Sequence, residues 1–192
     1  MRGERILFKN VDLELDSGEW MHIRGENGVG KTSLIRILTG LAKPVAGNIY
    51  WKGQLIDDES EDYHRNLLFL GHRDALKDKL TAVENLQIAA ALNGEVVVED
   101  EALSALQRVG LRGREELPVS CLSAGQKRRV LLARLLTCKA KFWLLDEPFS
   151  VLDVNAVEML SMLIRKHLAN GGMTVMTSHQ SIPIPNGKVL EL

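Results

Sequence analysis

The segment Gly25-Glu26-Asn27-Gly28-Val29-Gly30-Lys31-Thr32 has the spacing GxxxxGK(S/T) and is followed by Ser33. It lies between an apolar run and a helical pattern, the context that gives this spacing chemical meaning. Glycines let backbone N–H groups wrap a pyrophosphate without Cβ clashes. Lys31 can reach the β- and γ-phosphates as a point charge, and the Thr32 hydroxyl can ligate Mg²⁺. The whole loop, Gly25 through Ser33, is therefore expected to bind a nucleotide. A second chemical element is Phe142-Trp143-Leu144-Leu145-Asp146-Glu147, an apolar run that ends in adjacent carboxylates. Alone, such a pair would be a solvated strand end. Downstream of a phosphate loop, Asp146 is expected to hold Mg²⁺ through water and Glu147 to face the attacking water as a general base. The third element is Leu122-Ser123-Ala124-Gly125-Gln126. It opens a helical pattern, and the free N–H groups and dipole of a helix N-terminus attract anions, so Ser123 and Gly125 are placed to bind a γ-phosphate.

These groups need elements to hold them. Residues 5–15 alternate apolar and polar (Ile6, Phe8, Val11, Leu13, Leu15), which predicts a half-buried strand. Trp20 to Arg24 is a second strand running into the glycine-rich loop. Ser33 to Thr39 is helical, closed by Gly40 and Pro44. Asn48 to Trp51 and Leu67 to Leu70 are strands, and the acidic stretch 57–62 between them is a solvated loop. Helices dominate from about 74 to 138. Thr81 with Glu84, and Ser123 with Gln126, have capping-box spacing and start two of them. Lys141 to Leu145 is a strand, Asp153 caps a helix stopped by Gly171-Gly172, and Met173 to Thr177 and Lys188 to Leu192 are closing strands. The fold class expected is α/β, with a mostly parallel core sheet, an antiparallel β subdomain and a helical subdomain.

Composition narrows the function. The chain has 192 residues, 45% hydrophobic, with 24 basic and 25 acidic side chains. A net charge of −1 argues against nucleic-acid binding by bulk positive charge. No run approaches the roughly 18 apolar residues of a membrane span. The first residues, Met1-Arg2-Gly3-Glu4-Arg5, lack the apolar run of a secretory signal. Cys121 and Cys138 form no metal-ligand spacing. Both thiols are expected to be buried or inert in a reducing cytoplasm. His22, His64 and His167 have the spacing of surface residues.

The Leu122–Gln126 pattern resembles the signature of ATP-binding cassette (ABC) ATPases. The remaining motifs follow in that family's order. Ser150-Val151-Leu152-Asp153 resembles its D-loop, and His179, past a strand, resembles the switch histidine that senses the γ-phosphate. The resemblance spans essentially the whole chain and implies one ABC ATP-binding domain over 1–192, with a helical subdomain at about 74–138. It implies ATP and Mg²⁺ as ligands, with Ser123, Gly125, Gln126 and Asp153 on the nucleotide and Glu147 and His179 catalytic. In that family the signature of one subunit completes the ATP site of another. One phosphate loop and one signature thus imply a homodimer.

Two features depart from the pattern. At the strand end where the family carries a glutamine against Mg²⁺, this chain has His72. A neutral imidazole there could accept a hydrogen bond from a metal-bound water, and His72 could equally be an ordinary strand-end residue. Upstream of the phosphate loop, only Phe8 and Trp20 could stack on adenine, and both fall on predicted strands. Arg2 or Arg5 could serve instead. Against the family's pattern the chain is also expected to begin late, without the usual first strand.

Within the family, Asn48 through Gly53, Tyr63 through Leu68, Gly71-His72, Leu80 through Leu86, Leu122 through Arg129, and Thr177-Ser178-His179-Gln180 are similar to ATP-binding subunits of bacterial cytochrome c maturation haem exporters. That resemblance implies a peripheral protein on the cytoplasmic face of the bacterial inner membrane. It would bind a multispanning permease and work with haem-handling membrane proteins. An exporter of another small molecule is the alternative. A chromosome-organising ATPase would need a coiled coil between loop and signature, where only about 90 residues lie.

Overall fold

The computed structural model describes residues 6–56, 61–71, 75–179 and 181–192. The described chain forms two compact units. The first holds the N-terminal part to Leu70 with Ala140–Pro148 and His167–Leu192, and the second holds Gly71–Lys139 with Phe149–Lys166.

The first unit is built on a five-stranded sheet of β1 (Trp20–Arg24), β4 (Leu67–Leu70), β5 (Phe142–Asp146), β6 (Met173–Thr177) and β7 (Lys188–Glu191), in the order β4-β5-β6-β1-β7. Every pairing in it is parallel. Parallel strands bring all their carboxyl ends to one edge, where ligands of open α/β sheets bind. The register there sets Asp146 beside Thr177, Thr177 beside Ile23, and Arg24 beside Glu191. Helix α1 (Lys31–Leu38) follows β1 and buries Leu34, Ile35 and Leu38. They join Ile23, Tyr63, Leu144 and Val175 in the core. A short pair, β2 (Tyr50–Trp51) and β3 (Gln54–Leu55), is antiparallel. Helix α2 (Glu61–Arg65) turns Tyr63 inward, where its hydroxyl donates to the Leu38 carbonyl.

The strand expected over 5–15 is absent from its described part. Residues 6–15 carry no ladder, yet Val11, Leu13 and Leu15 alternate with exposed neighbours and pack on the core. Alternation reports which side chains are covered, and it does not by itself supply a hydrogen-bonding partner strand. Among the described residues the antiparallel ladder is the β2–β3 pair.

The second unit is helical: α3 (Ala82–Leu92), α4 (Glu99–Arg108), α5 (Ala124–Thr137) and most of α6 (Val154–Ala169). Both expected capping boxes form. Thr81 accepts from the Glu84 N–H while Glu84 accepts from the Thr81 N–H, and Ser123 and Gln126 do the same. Each box satisfies helix N–H groups that have no partner inside the helix. Leu86, Ala102, Leu106, Leu111 and Val130 form the core of this unit, and Met159 of α6 packs against it. That contact is why a segment after β5 joins a helical unit expected to end near 138.

Candidate functional site

The loop from Gly25 to Gly30 leaves β1 at the carboxyl edge of the sheet and enters α1. Gly30 has φ +127, and a Cβ there would lie 2.9 Å from the Phe8 ring, so only glycine fits. At Gly28, with φ +81, a Cβ would meet nothing within 4 Å, which leaves open space over the loop. The first turn of α1 has no side-chain cap and no acidic residue. Its N–H groups are thereby left for an anion. Lys31 is buried, and its Nζ donates to the carbonyls of Gly25 at 2.7 Å and Glu26 at 3.1 Å. The ammonium is curled over the loop, within reach of a phosphate seated in it.

Thr32 Oγ1 donates to Asp146 Oδ2 at 3.1 Å. A hydroxyl and a carboxylate oxygen thus face one point, and they are oxygen donors of the type Mg²⁺ takes beside phosphate oxygens. The residues present fit that ion. The other carboxylate oxygen, Oδ1, accepts from Thr177 Oγ1 at 2.6 Å. Thr177 Oγ1 also accepts from the Glu147 N–H at 2.9 Å. One hydroxyl therefore orients both carboxylate residues. In the sequence Thr177 stands only as part of the Thr177–Gln180 segment, with no role of its own. Its local signal is a hydroxyl at the end of an apolar strand, two residues before His179. We expect Thr177→Val to lower stability in urea denaturation by about 1–3 kcal/mol, because Asp146 and the Glu147 N–H each lose this partner in a buried place. Thr177→Ser should restore most of the loss.

Glu147 has φ +52, a left-handed conformation that costs a non-glycine residue free energy and is concentrated at functional sites. Its Oε1 lies 3.3 Å from Nε2 of His179. Glu147 is the more buried of the two, so a carboxylate and an imidazole meet at the rim of the phosphate loop's own edge of the sheet. Gly25–Ser33, Asp146, Glu147 and His179 are thus brought together in the first unit.

Ser123, Gly125, Gln126 and Asp153 belong to the second unit. Ser123 and Gln126 are engaged in the capping box, and Gly125 has open space where a Cβ would point. Asp153 Oδ1 accepts from the Ala156 N–H at 2.8 Å, and Oδ2 accepts from Arg129 at 2.6 Å. These two bonds hold its carboxyl below the usual value. Asp153 is therefore the cap of α6 and is tied to the helix that Ser123 opens. His72, Arg2 and Arg5 lie outside the described residues.

Two sequence expectations, both of surface histidines, are corrected. His22 is buried, because a central strand of a parallel sheet is covered on both faces. His167 stacks on Trp143 at 3.6 Å, and its Nε2 bonds to the Met173 carbonyl at 3.2 Å, so burial pushes its pKa down. Cys121 is exposed, and Cys138 is half-buried. His64 is exposed as expected.

A family model described as ABC transporter matches residues 8–150. The chain belongs to the ABC transporter family. It is an ABC-type transport ATPase. The cytochrome c biogenesis ATP-binding export protein CcmA of Dechloromonas aromatica is 52% identical over 192 residues, covering 100% of this chain and 94% of that protein. The CcmA of Escherichia coli K12 is 44% identical over 188 residues, covering 98% of this chain and 89% of that protein. Among solved structures, the dimeric post-hydrolysis state of the ATP-binding cassette MJ0796, bound to ADP and Pi, superposes with TM-score 0.81 at 27% identity, covering 94% of this chain and 84% of that one. A putative ABC transporter ATP-binding protein from Pyrococcus furiosus superposes with TM-score 0.85 over 98% of this chain and 92% of that one, at 24% identity, and shows the fold alone. No helix among the described residues of this ABC ATPase is long and apolar enough to cross a membrane.

Proposed function

We propose that this ABC ATPase is the ATP-hydrolysing subunit of a membrane transporter for c-type cytochrome biogenesis, where turnover powers haem delivery or the release of a haem chaperone. The observation that carries the reading is the 52% identity to a CcmA protein across the entire chain. The subunit works as a homodimer on the cytoplasmic face of the bacterial inner membrane, bound to a multispanning permease. The dimeric state of the related MJ0796 cassette supports the homodimer. The two compact units are subdomains of one ATP-binding domain, the second of them helical.

In this reading the N–H groups of residues 25–33 wrap the β- and γ-phosphates, and Lys31 leaves the Gly25 and Glu26 carbonyls to pair with them. Thr32 and Asp146 would hold Mg²⁺, which would supply positive charge against the phosphate oxygens when bound. Glu147 orients and deprotonates the attacking water, and His179 fixes the γ-phosphate side of that water. The uncapped start of α1 favours an anion, and the positive dipole end of α5, behind its capping box, does the same, so Ser123 and Gly125 serve the nucleotide of the partner copy. The test is ATP turnover of the purified complex with its permease. Stimulation by haem and not by unrelated small molecules supports the haem system. Stimulation by another solute alone would reassign the transporter.

A further inference from the structure

His22 makes two hydrogen bonds inside the first unit, and together they fix its tautomer. Nε2 lies 3.0 Å from the Ser178 carbonyl oxygen, which can only accept. Nδ1 lies 3.1 Å from Nε of Arg24, which can only donate. The ring is therefore neutral, with its proton on Nε2 and Nδ1 bare. Burial keeps it so, holding the histidine below its usual pKa against the opposing pull of the Ser178 carbonyl, with Arg24 adding to the downward push. The charged groups around the ring are Arg24 on its own strand, Glu191 of β7, 3.9 Å from Arg24, and Glu147 after β5. The chain Arg24–His22–Ser178 ends one residue before His179, whose imidazole lies 3.3 Å from Glu147. A cleft of about 340 Å³ is lined by His22, Arg24, Gly25, Ser178 and His179, so this relay forms the wall between the start of the phosphate loop and the switch histidine.

We infer that His22 is a positioning residue for hydrolysis: its Nε2–H pins the Ser178 backbone and thereby sets where the His179 imidazole stands against Glu147. This rests on the catalytic roles proposed for His179 and Glu147. Ser178 follows Thr177, the last residue of β6, and precedes His179, so the buried bond from the His22 side chain of β1 to the Ser178 carbonyl acts on the link between a rigid strand and a half-exposed imidazole. A small displacement of a positioned group is enough to cost one to two orders of magnitude in rate.

The test uses the full chain, four single variants and one double variant. In nitrogen-15 spectra of the wild-type ring, His22 is expected as a single tautomer with the proton on Nε2. A bare Nε2, or exchange between tautomers, would overturn the inference without any activity measurement. His22→Leu keeps the volume and removes the donor. It is expected to slow ATP turnover about 10- to 100-fold with nucleotide affinity unchanged, because the phosphate loop is untouched. His22→Gln places an amide N–H₂ near the Nε2 position and should restore turnover. His22→Asn can meet Arg24 but cannot reach Ser178, and should be slow, so the Asn and Gln pair decides the matter should His22→Leu fail to fold. In a His179→Ala background, single-turnover rates should show no further loss from His22→Leu, since both changes act on one group. Wild-type turnover in His22→Leu, or a Gln variant as slow as Asn, would overturn the inference. Wild-type turnover in His179→Ala alone would instead overturn the role proposed for His179.

Discussion

Glu147→Gln is expected to bind ATP normally and to hydrolyse it about 10²- to 10⁴-fold more slowly, the usual worth of a positioned base. The substitution keeps the side chain's size and its capacity to accept a hydrogen bond. It removes the basic oxygen that stands 3.3 Å from His179. Lys31 bonds to the Gly25 carbonyl and Thr32 to Asp146, and with the phosphate loop they should hold the nucleotide as before. Because dimer closure in the proposed mechanism needs binding and not cleavage, the variant should also accumulate as an ATP-loaded dimer. Calorimetry, single-turnover hydrolysis and size-exclusion chromatography with ATP read the three parts separately. A Glu147→Gln chain that hydrolysed ATP at the wild-type rate would remove Glu147 from the role of base. The left-handed φ of +52 would then need another explanation.

The parts of this site that were legible in the sequence are those fixed by neighbours along the chain. The spacing Gly25 to Thr32 needs only a strand before it and a helix after it, and both formed. The two capping boxes are four-residue patterns whose partners are set by one helical turn, and both closed as expected. What was not legible depends on which strands end up side by side. Thr177 matters because the register of β5 and β6 places it next to Asp146, and no local pattern states that register. His22 has the spacing of a surface residue in the sequence. In β1 four consecutive residues, Trp20 to Ile23, are buried, so both faces of the strand are covered and alternation loses its meaning. Residues 6–15 fail in the opposite sense: their alternation is real in burial, but no partner strand came to them.

The second large effect concerns the helix that Ser123 opens. Ser123→Arg is expected to leave ATP binding to the isolated monomer unchanged while abolishing turnover. Lys31→Ala should abolish turnover for a different reason, since a bound pyrophosphate loses its fixed positive partner and affinity falls. The two variants separate because Lys31 is buried beside the phosphate loop of its own chain, whereas Ser123 is exposed at the start of α5 with its hydroxyl spent on the capping box. An arginine at this helix N-terminus would break the box and fill the place where the partner's γ-phosphate approaches. Mixing the two inactive chains is the decisive arrangement. In the mixed dimer, the intact phosphate loop of the Ser123→Arg chain faces the intact signature of the Lys31→Ala chain, and partial ATPase activity should return. The opposing pair in the same dimer carries both defects and stays silent, so recovery cannot exceed one site's share. If Ser123→Arg alone abolished ATP binding to the monomer, the signature would act within its own chain, and the shared-site dimer would have to be abandoned.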